Sequence, residues 1–241
     1  MKLYVYCLAE GIHLTEEPTL GISGAPVRLL KTDDFSVLVS ELDADSVPVT
    51  RENALAHAAV VRSILGRTTP LPFRFGTVVT EQQLLSYLSA RKPALESKLA
   101  SVRGCIEMSV KIIWETSDEQ PEPRDEDQRS EQGAGTTFLA EKRRQILGDE
   151  HRAAEAAKIS TWLREALSEL IRDEHVTLRP TDRLVLSAAH LVERGKITQY
   201  REKLADMRQN RPELHFLLSG PWPPYSFANI ELEFKTQFGV S

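Results

Sequence analysis

Residues Leu71-Pro-Phe-Arg-Phe-Gly-Thr77 constrain the fold more than any other stretch of this chain. Pro70 and Pro72 each hold φ near one value and push the residue before them toward extended geometry, so the segment can be neither helix nor free loop. On an extended backbone Phe73 and Phe75 fall on one side and Arg74 on the other, and Gly76 permits a turn or a close backbone approach. Helical patterns flank the segment, over 51–65 and 81–103, so it reads as an ordered connection between two packed elements. Two readings follow for its centre. Either the phenylalanines seal a small core and Arg74 is an ordinary outward charge, or Arg74 meets a partner or an anion.

Bulk properties narrow the classes. A chain of 241 residues with 41% hydrophobic content can build one large core or two small ones, and two fits the pattern better. The net charge of −5 provides no field that would gather nucleic acid. No apolar run approaches the roughly 20 residues that cross a bilayer. Neither nucleic acid nor membrane is therefore expected as a partner. Cys7 and Cys105 are the only cysteines, too few for a disulfide framework and without metal-ligand spacing, which suits a reducing cytoplasm. Residues 1–9 alternate with a period of two and read as a strand, not as a signal peptide.

In Leu3-Tyr-Val-Tyr-Cys7 the alternation predicts one buried face and one amphipathic, tyrosine-bearing face. Further strands are expected at 27–31 and 35–42. Thr50 is placed to cap a helix over 51–65, whose stripe carries Ala54, Ala58, Val61 and Leu65 with His57 among them. No second His or Cys lies within a turn of His57, which points to a half-buried, hydrogen-bonded histidine near the 71–77 segment instead of a metal ligand. From Gly104 onward, Ile106, Met108, Val110, Ile112 and Trp114 alternate with Glu107, Ser109, Lys111, Ile113 and Glu115. This predicts a strand with one core face and one largely polar face, which is either a solvated or helix-covered sheet face or, through Glu107 and Lys111, a charged docking surface. Residues 116–133 carry seven acidic and two basic side chains and no aliphatic one, the composition of a disordered loop. A long helix over 138–172, strands near 176–178 and 184–192, a helix over 197–208 and a strand at 214–218 complete the order β-α-β-β-α-β. That is the ferredoxin-like arrangement, which hosts many functions and assigns none. Gly220-Pro-Trp-Pro-Pro-Tyr-Ser-Phe227 reads as a polyproline-type strap anchored by Trp222, Tyr225 and Phe227, with Trp222 buried. The alternating tail beyond it could add as an edge strand. The expected class is α+β with two domains: a small N-terminal α+β domain over 1–103, and a ferredoxin-like domain over 104–241. The second includes the acidic loop 116–133 and the strap and tail 220–241.

Three of these stretches, in this order, resemble signatures of the gas vesicle GvpF/GvpL family. They are Ala56-His57 followed by Leu71–Thr77, then Arg103-Gly-Cys-Ile-Glu-Met-Ser-Val-Lys111, then Gly220–Phe227. The resemblance implies a cytoplasmic, vesicle-associated accessory or minor structural protein. It would bind the hydrophobic main shell protein and other vesicle accessory proteins, through amphipathic surface and strand edge. The residues that could meet such partners are Phe73, Arg74, Phe75, Glu107, Lys111, Trp222, Tyr225 and Phe227.

Catalysis has little behind it. There is no G-x-S-x-G elbow, no Gly-rich phosphate loop and no H-E-x-x-H, and the six histidines are scattered. No catalytic residue, metal site or cofactor is expected, and the chain is not expected to be an enzyme. The alternative from a different class is an anion- or small-molecule-binding ferredoxin-like enzyme subunit centred on Arg74, with Arg62 and Arg67 converging on the same anion.

Overall fold

The computed structural model describes residues 1–12, 19–114, 134–178, 181, 184–228 and 230, with backbone alone for 134–149. The expected acidic loop 116–133 and nearly all of the expected tail strand lie outside the described residues. The architecture is α+β with two sheets, and the chain divides into two compact units, Met1–Glu107 with Pro221–Ser241, and Met108–Gly220. The C-terminal box, expected with the second domain, therefore groups with the first unit.

In the first unit the strands are β1 (Lys2–Ala9), β2 (Val27–Lys31), β3 (Ser36–Leu42), β4 (Leu71–Pro72) and β5 (Val78–Val79). They form a sheet in the order β2-β3-β1-β4, with β5 also on β1. Helix α1 (Arg51–Leu65) follows β3, and α2 (Glu81–Ala90) and α3 (Lys92–Val102) follow β5. Local sequence sets each start. Thr50 Oγ1 accepts from Asn53 N–H at the head of α1. Thr80 and Gln83 form a reciprocal capping box at α2, and Pro93 sits in the first turn of α3.

Strand β1 is the centre of this unit, and it departs from expectation. Instead of one amphipathic face, every residue from Leu3 to Ala9 is buried, both tyrosines included. A Tyr can be buried when its hydroxyl finds partners, and both hydroxyls do. Ile22 N–H donates to Tyr6 Oη at 2.9 Å, Tyr6 pairs with Ser40 Oγ at 2.9 Å, and Ser40 Oγ donates to the Pro26 carbonyl at 3.0 Å. Gly76 N–H donates to Tyr4 Oη at 3.2 Å, and Tyr4 Oη lies 2.9 Å from His57 Nδ1. Helix α1 contributes His57, Val60, Val61, Ile64 and Leu65 to the buried set; the expected stripe holds at His57, Val61 and Leu65, whereas Ala54 is exposed and Ala58 half-buried.

The organising segment is a bulge. Pro72 stands opposite Cys7 and Val78 opposite Tyr4, so residues 73–77 face only Val5 and Tyr6 of β1. Phe73 N–H still bonds the Tyr6 carbonyl and Val5 N–H the Thr77 carbonyl, while Thr77 N–H closes a turn onto Arg74 O. Residues 74–76 are thus pushed off the ladder. Gly76 takes φ of 86° there, a left-handed conformation that glycine adopts without steric cost.

In the second unit β6 (Cys105–Trp114), α4 (Ala134–Leu167), β7 (Ile171–Thr177), β8 (Leu184–Glu193), α5 (Ile197–Asn210) and β9 (Leu214–Trp222) follow in order, and the sheet runs β7-β8-β6-β9. The unit boundaries fall within β6 and just before the end of β9. Helix α4 ends at Leu167, short of the expected 172, because Ile171–Thr177 pairs antiparallel with β8 from Ile171↔Val192 to Thr177↔Ser187. Ala156, Ile159, Leu163 and Leu167 of α4 and Tyr200, Leu204 and Met207 of α5 are buried. His190 repeats the motif of the first unit, with its Nδ1 2.7 Å from Tyr200 Oη.

The Tyr6 relay leaves no room beside it. A Cβ at Gly21 would coincide with the Tyr6 hydroxyl and lie 3.1 Å from Ser40 Oγ. Gly21→Ala is expected to cost about 1–3 kcal/mol by overpacking. Tyr6→Phe alone leaves Ile22 N–H unsatisfied, yet it removes the nearest clashing atom and leaves only the ring carbon, 2.7 Å from the added Cβ. In urea denaturation the double variant should therefore lose less stability than the two single losses added together, whereas strict additivity would contradict the packing described.

Candidate functional site

The bulge, the first turns of α1 and the C-terminal box with the residues just after it line an open cavity of about 600 Å³ within the first unit. Helix α1 supplies Ala54, His57 and Ala58, the bulge supplies Pro72 to Phe75, and the box supplies Trp222, Tyr225, Ala228 and Ile230. The walls are mostly apolar. Phe73 is buried at 1% exposure, with its ring centroid 6.4 Å from that of Tyr87. Phe75 is half-buried and turns to other rings, 5.8 Å from His57 and 6.3 Å from Tyr4. The two phenylalanines thus reach different neighbours, because the bulge breaks the period-two alternation on which the sequence expectation rested. Arg74 between them is exposed.

His57 is the polar residue of the cavity wall with the most defined setting. Its ring stacks on Tyr6 at 5.8 Å and 28°, and meets Tyr4 edge-on at 5.7 Å. Tyr4 Oη accepts from Gly76 N–H and pairs with His57 Nδ1, a contact in which the tautomer of the ring sets which group donates. Burial pushes the Tyr4 hydroxyl up to about 12, so it stays protonated. Burial lowers His57 from 6.5 to about 4, so the ring is neutral at pH 7. The expectation of a hydrogen-bonded histidine near 71–77 holds, although His57 is only 4% exposed and not half-buried. Among the described residues no group of His, Cys, Asp and Glu could hold a metal ion. Cys7 and Cys105 are buried free thiols, and burial pushes the Cys7 thiol up, away from reactivity.

The C-terminal box differs most from expectation. It is not a polyproline strap: β9 runs through Trp222, and a short helix, α6 (Tyr225–Ala228), follows. Pro223 and Pro224 are buried, while Trp222 is 38% exposed and Tyr225 40%, so the prolines and not Trp222 provide the burial. Pro224 opens a helical turn, with Ala228 N–H returning to its carbonyl, a position suited to proline. Trp222 instead forms one wall of the cavity, with Arg62 Cζ 5.8 Å from its ring centroid. Phe227 is half-buried and is not among the residues lining the cavity.

Glu107 explains how the box is held. The expected exposed docking carboxylate is 6% exposed and accepts from Ser226 N–H at 2.8 Å and Ser226 Oγ at 2.9 Å. It is an internal tether, since a carboxylate leaves water only when its oxygens are hydrogen-bonded. Lys111 is exposed on β6, so the two residues do not form one charged surface. At the other end of α6, Lys98 Nζ donates to the Ala228 carbonyl at 2.7 Å, and Ile230 bridges to Phe73. Sequence reasoning missed Ala54, Ala58, Ala228 and Ile230 as wall residues. Its available signal was the pair of alanines four apart beside His57, which leaves space where a larger side chain would fill it.

Residues 2–229 match the family model described as gas vesicle synthesis protein GvpL/GvpF. Gas vesicle protein L2 of Halobacterium salinarum is 29% identical over an alignment that covers 93% of this chain and 90% of that protein. Gas vesicle protein F1 of the same organism is 26% identical, with 99% and 98% covered. Among solved structures, the crystal structure of GvpF from Anabaena sp. superposes with a TM-score of 0.78 at 20% identity, covering 95% of this chain and 99% of that one. That of GvpF from Microcystis aeruginosa gives 0.72, also at 20% identity and with the same coverage. No helix among the described residues is long and apolar enough to cross a membrane.

The two buried histidines set a pH dependence. His190 is lowered to about 4 by burial, against the opposing pull of Glu174, as His57 is lowered to about 4. Between 6.5 and 4 the unfolded chain binds more protons than the folded one, so stability present above 6.5 is lost as pH falls. Each histidine should contribute a loss on the order of 2 kcal/mol from pH 7 to pH 5. Urea midpoints at the two pH values read this directly, and equal midpoints would contradict it.

Proposed function

We propose that this chain, which belongs to the gas vesicle synthesis protein GvpL/GvpF family, acts as a non-enzymatic assembly protein whose cavity holds apolar surface of the main shell protein. The family places it in gas vesicle formation. On our reading it works in the cytoplasm and at the vesicle. It keeps an aggregation-prone subunit competent for assembly and meets other vesicle accessory proteins as it does so.

The observation that supports this best is the open, mostly apolar cavity in the first unit, with Trp222 and Tyr225 partly exposed and the cationic Arg74 exposed beside it. Apolar surface of this kind, rimmed by polar groups, suits a protein partner. A second surface is available for accessory proteins. We read the second unit's β-α-β-β-α-β order as a ferredoxin-like domain, and its edge strand β9 exposes Leu217 and Leu218, a form suited to strand addition. The enzyme-subunit alternative has no observation in its favour. The cavity beside Arg74 is mostly apolar, and His57 has Nδ1 committed to Tyr4.

Ala54 is exposed on α1, so Ala54→Trp fills the cavity without entering the core. It should melt within a few degrees of the natural chain and lose capture of the main shell protein in a pull-down. Arg74→Ala should fold normally and weaken capture about tenfold, with a smaller salt dependence. Undiminished capture by Ala54→Trp would remove the cavity from the account.

A further inference from the structure

The described chain ends in the cavity wall. Ile230 lines the cavity, is buried at 4% exposure and forms a parallel bridge with Phe73. Eleven residues follow it in the sequence, Glu231-Leu-Glu-Phe-Lys-Thr-Gln-Phe-Gly-Val-Ser241. An extended backbone gains at most about 3.5 Å per residue, so the Leu232 backbone lies within about 7 Å of that of Ile230 and the Phe234 backbone within about 14 Å. Two large apolar side chains are thus tethered beside an apolar cavity. Pattern and charge agree with this placement. On an extended backbone Leu232 and Phe234 fall on the same side as Ile230, and Glu231 and Glu233 on the other. Among the described wall residues Arg74 is the only charged one, Arg62 lies over Trp222, and no acidic side chain is present. Arg74 follows Phe73 and Glu231 follows Ile230, so continuing the register of the parallel bridge by one residue brings opposite charges side by side.

We propose that the occupant of the cavity in the free protein is this chain's own tail, residues 231–241, with Leu232 and Phe234 in the space bounded by Phe73, Phe75 and Trp222 and with Glu231 beside Arg74. The proposal rests on the docking function proposed above and adds its regulation, since the main shell protein must displace the tail to bind. A short tether gives an effective concentration on the order of millimolar, so contacts too weak to hold a free peptide suffice to hold the tail. The apparent affinity for the partner then falls with the fraction of cavities left open. The tail shields the aromatic wall from indiscriminate association until a partner with more apolar surface outcompetes it.

Two measurements on the full chain test it. In the first, p-benzoylphenylalanine replaces Phe234 and the protein is irradiated alone. The expected cross-links, mapped by mass spectrometry, join residue 234 to residues 54–58, 72–75 or 222–225 of the same molecule. Cross-links elsewhere, cross-links between two molecules, or none at all overturn the proposal. In the second, Leu232→Ser/Phe234→Ser changes no wall residue. This variant should melt within a few degrees of the natural chain and capture the main shell protein at least fivefold more tightly. Unchanged or weaker capture by Leu232→Ser/Phe234→Ser, with capture still lost by Ala54→Trp, would leave the docking function standing and overturn displacement of the tail. Capture indifferent to both sets of substitutions would remove the docking function, and the cross-links then decide on the tail alone.

Discussion

A strand buried on both faces must satisfy its side-chain polar atoms as strictly as it packs its apolar ones. In β1 two tyrosine hydroxyls carry that requirement. Each accepts from a backbone N–H, Gly76 for Tyr4 and Ile22 for Tyr6, and each has a second partner, His57 Nδ1 for Tyr4 and Ser40 Oγ for Tyr6. These links fasten the bulge, the segment around Gly21 and helix α1 to the same strand. The cavity depends on the first relay, because Gly76 belongs to the bulge and His57 to α1, and both elements form its walls.

The remaining wall depends on a different kind of tether. Helix α6 has only four residues and cannot be stable by itself. Glu107 binds Ser226 at its start and Lys98 binds the Ala228 carbonyl at its end. A buried carboxylate on β6 thus positions Tyr225 and, through the preceding prolines, leaves Trp222 at the surface. That arrangement presents aromatic faces to solvent, which a purely stabilising design would bury, and it is consistent with a surface shaped for an occupant.

Much of the element order was legible from local signals. Thr50 and Thr80 marked helix starts, and the alternation from Ile106 to Trp114 marked β6. The departures share a physical cause, which is tertiary context overriding local pattern. Phe73 and Phe75 share a side in a regular strand but not across a bulge, and nothing local reports that β1 offers only two residues opposite five. Glu107 sits at a polar position of β6 and is buried because a backbone N–H and a hydroxyl 119 residues away reach it. Trp222 is the largest apolar side chain of its box, yet the buried positions there belong to Pro223 and Pro224. The cavity itself was legible only in part, since Arg74 and the aromatic residues were recognisable but the small residues that create the space were not.

The central claim is that the first unit's cavity is where the partner sits. Hydrogen exchange of the full chain, measured alone and with purified main shell protein, tests it most directly. The account predicts new protection confined to residues 54–58, 72–76 and 225–228, with β7 and β8 unchanged. Protection that appears elsewhere while these three segments exchange as in the free chain would contradict it.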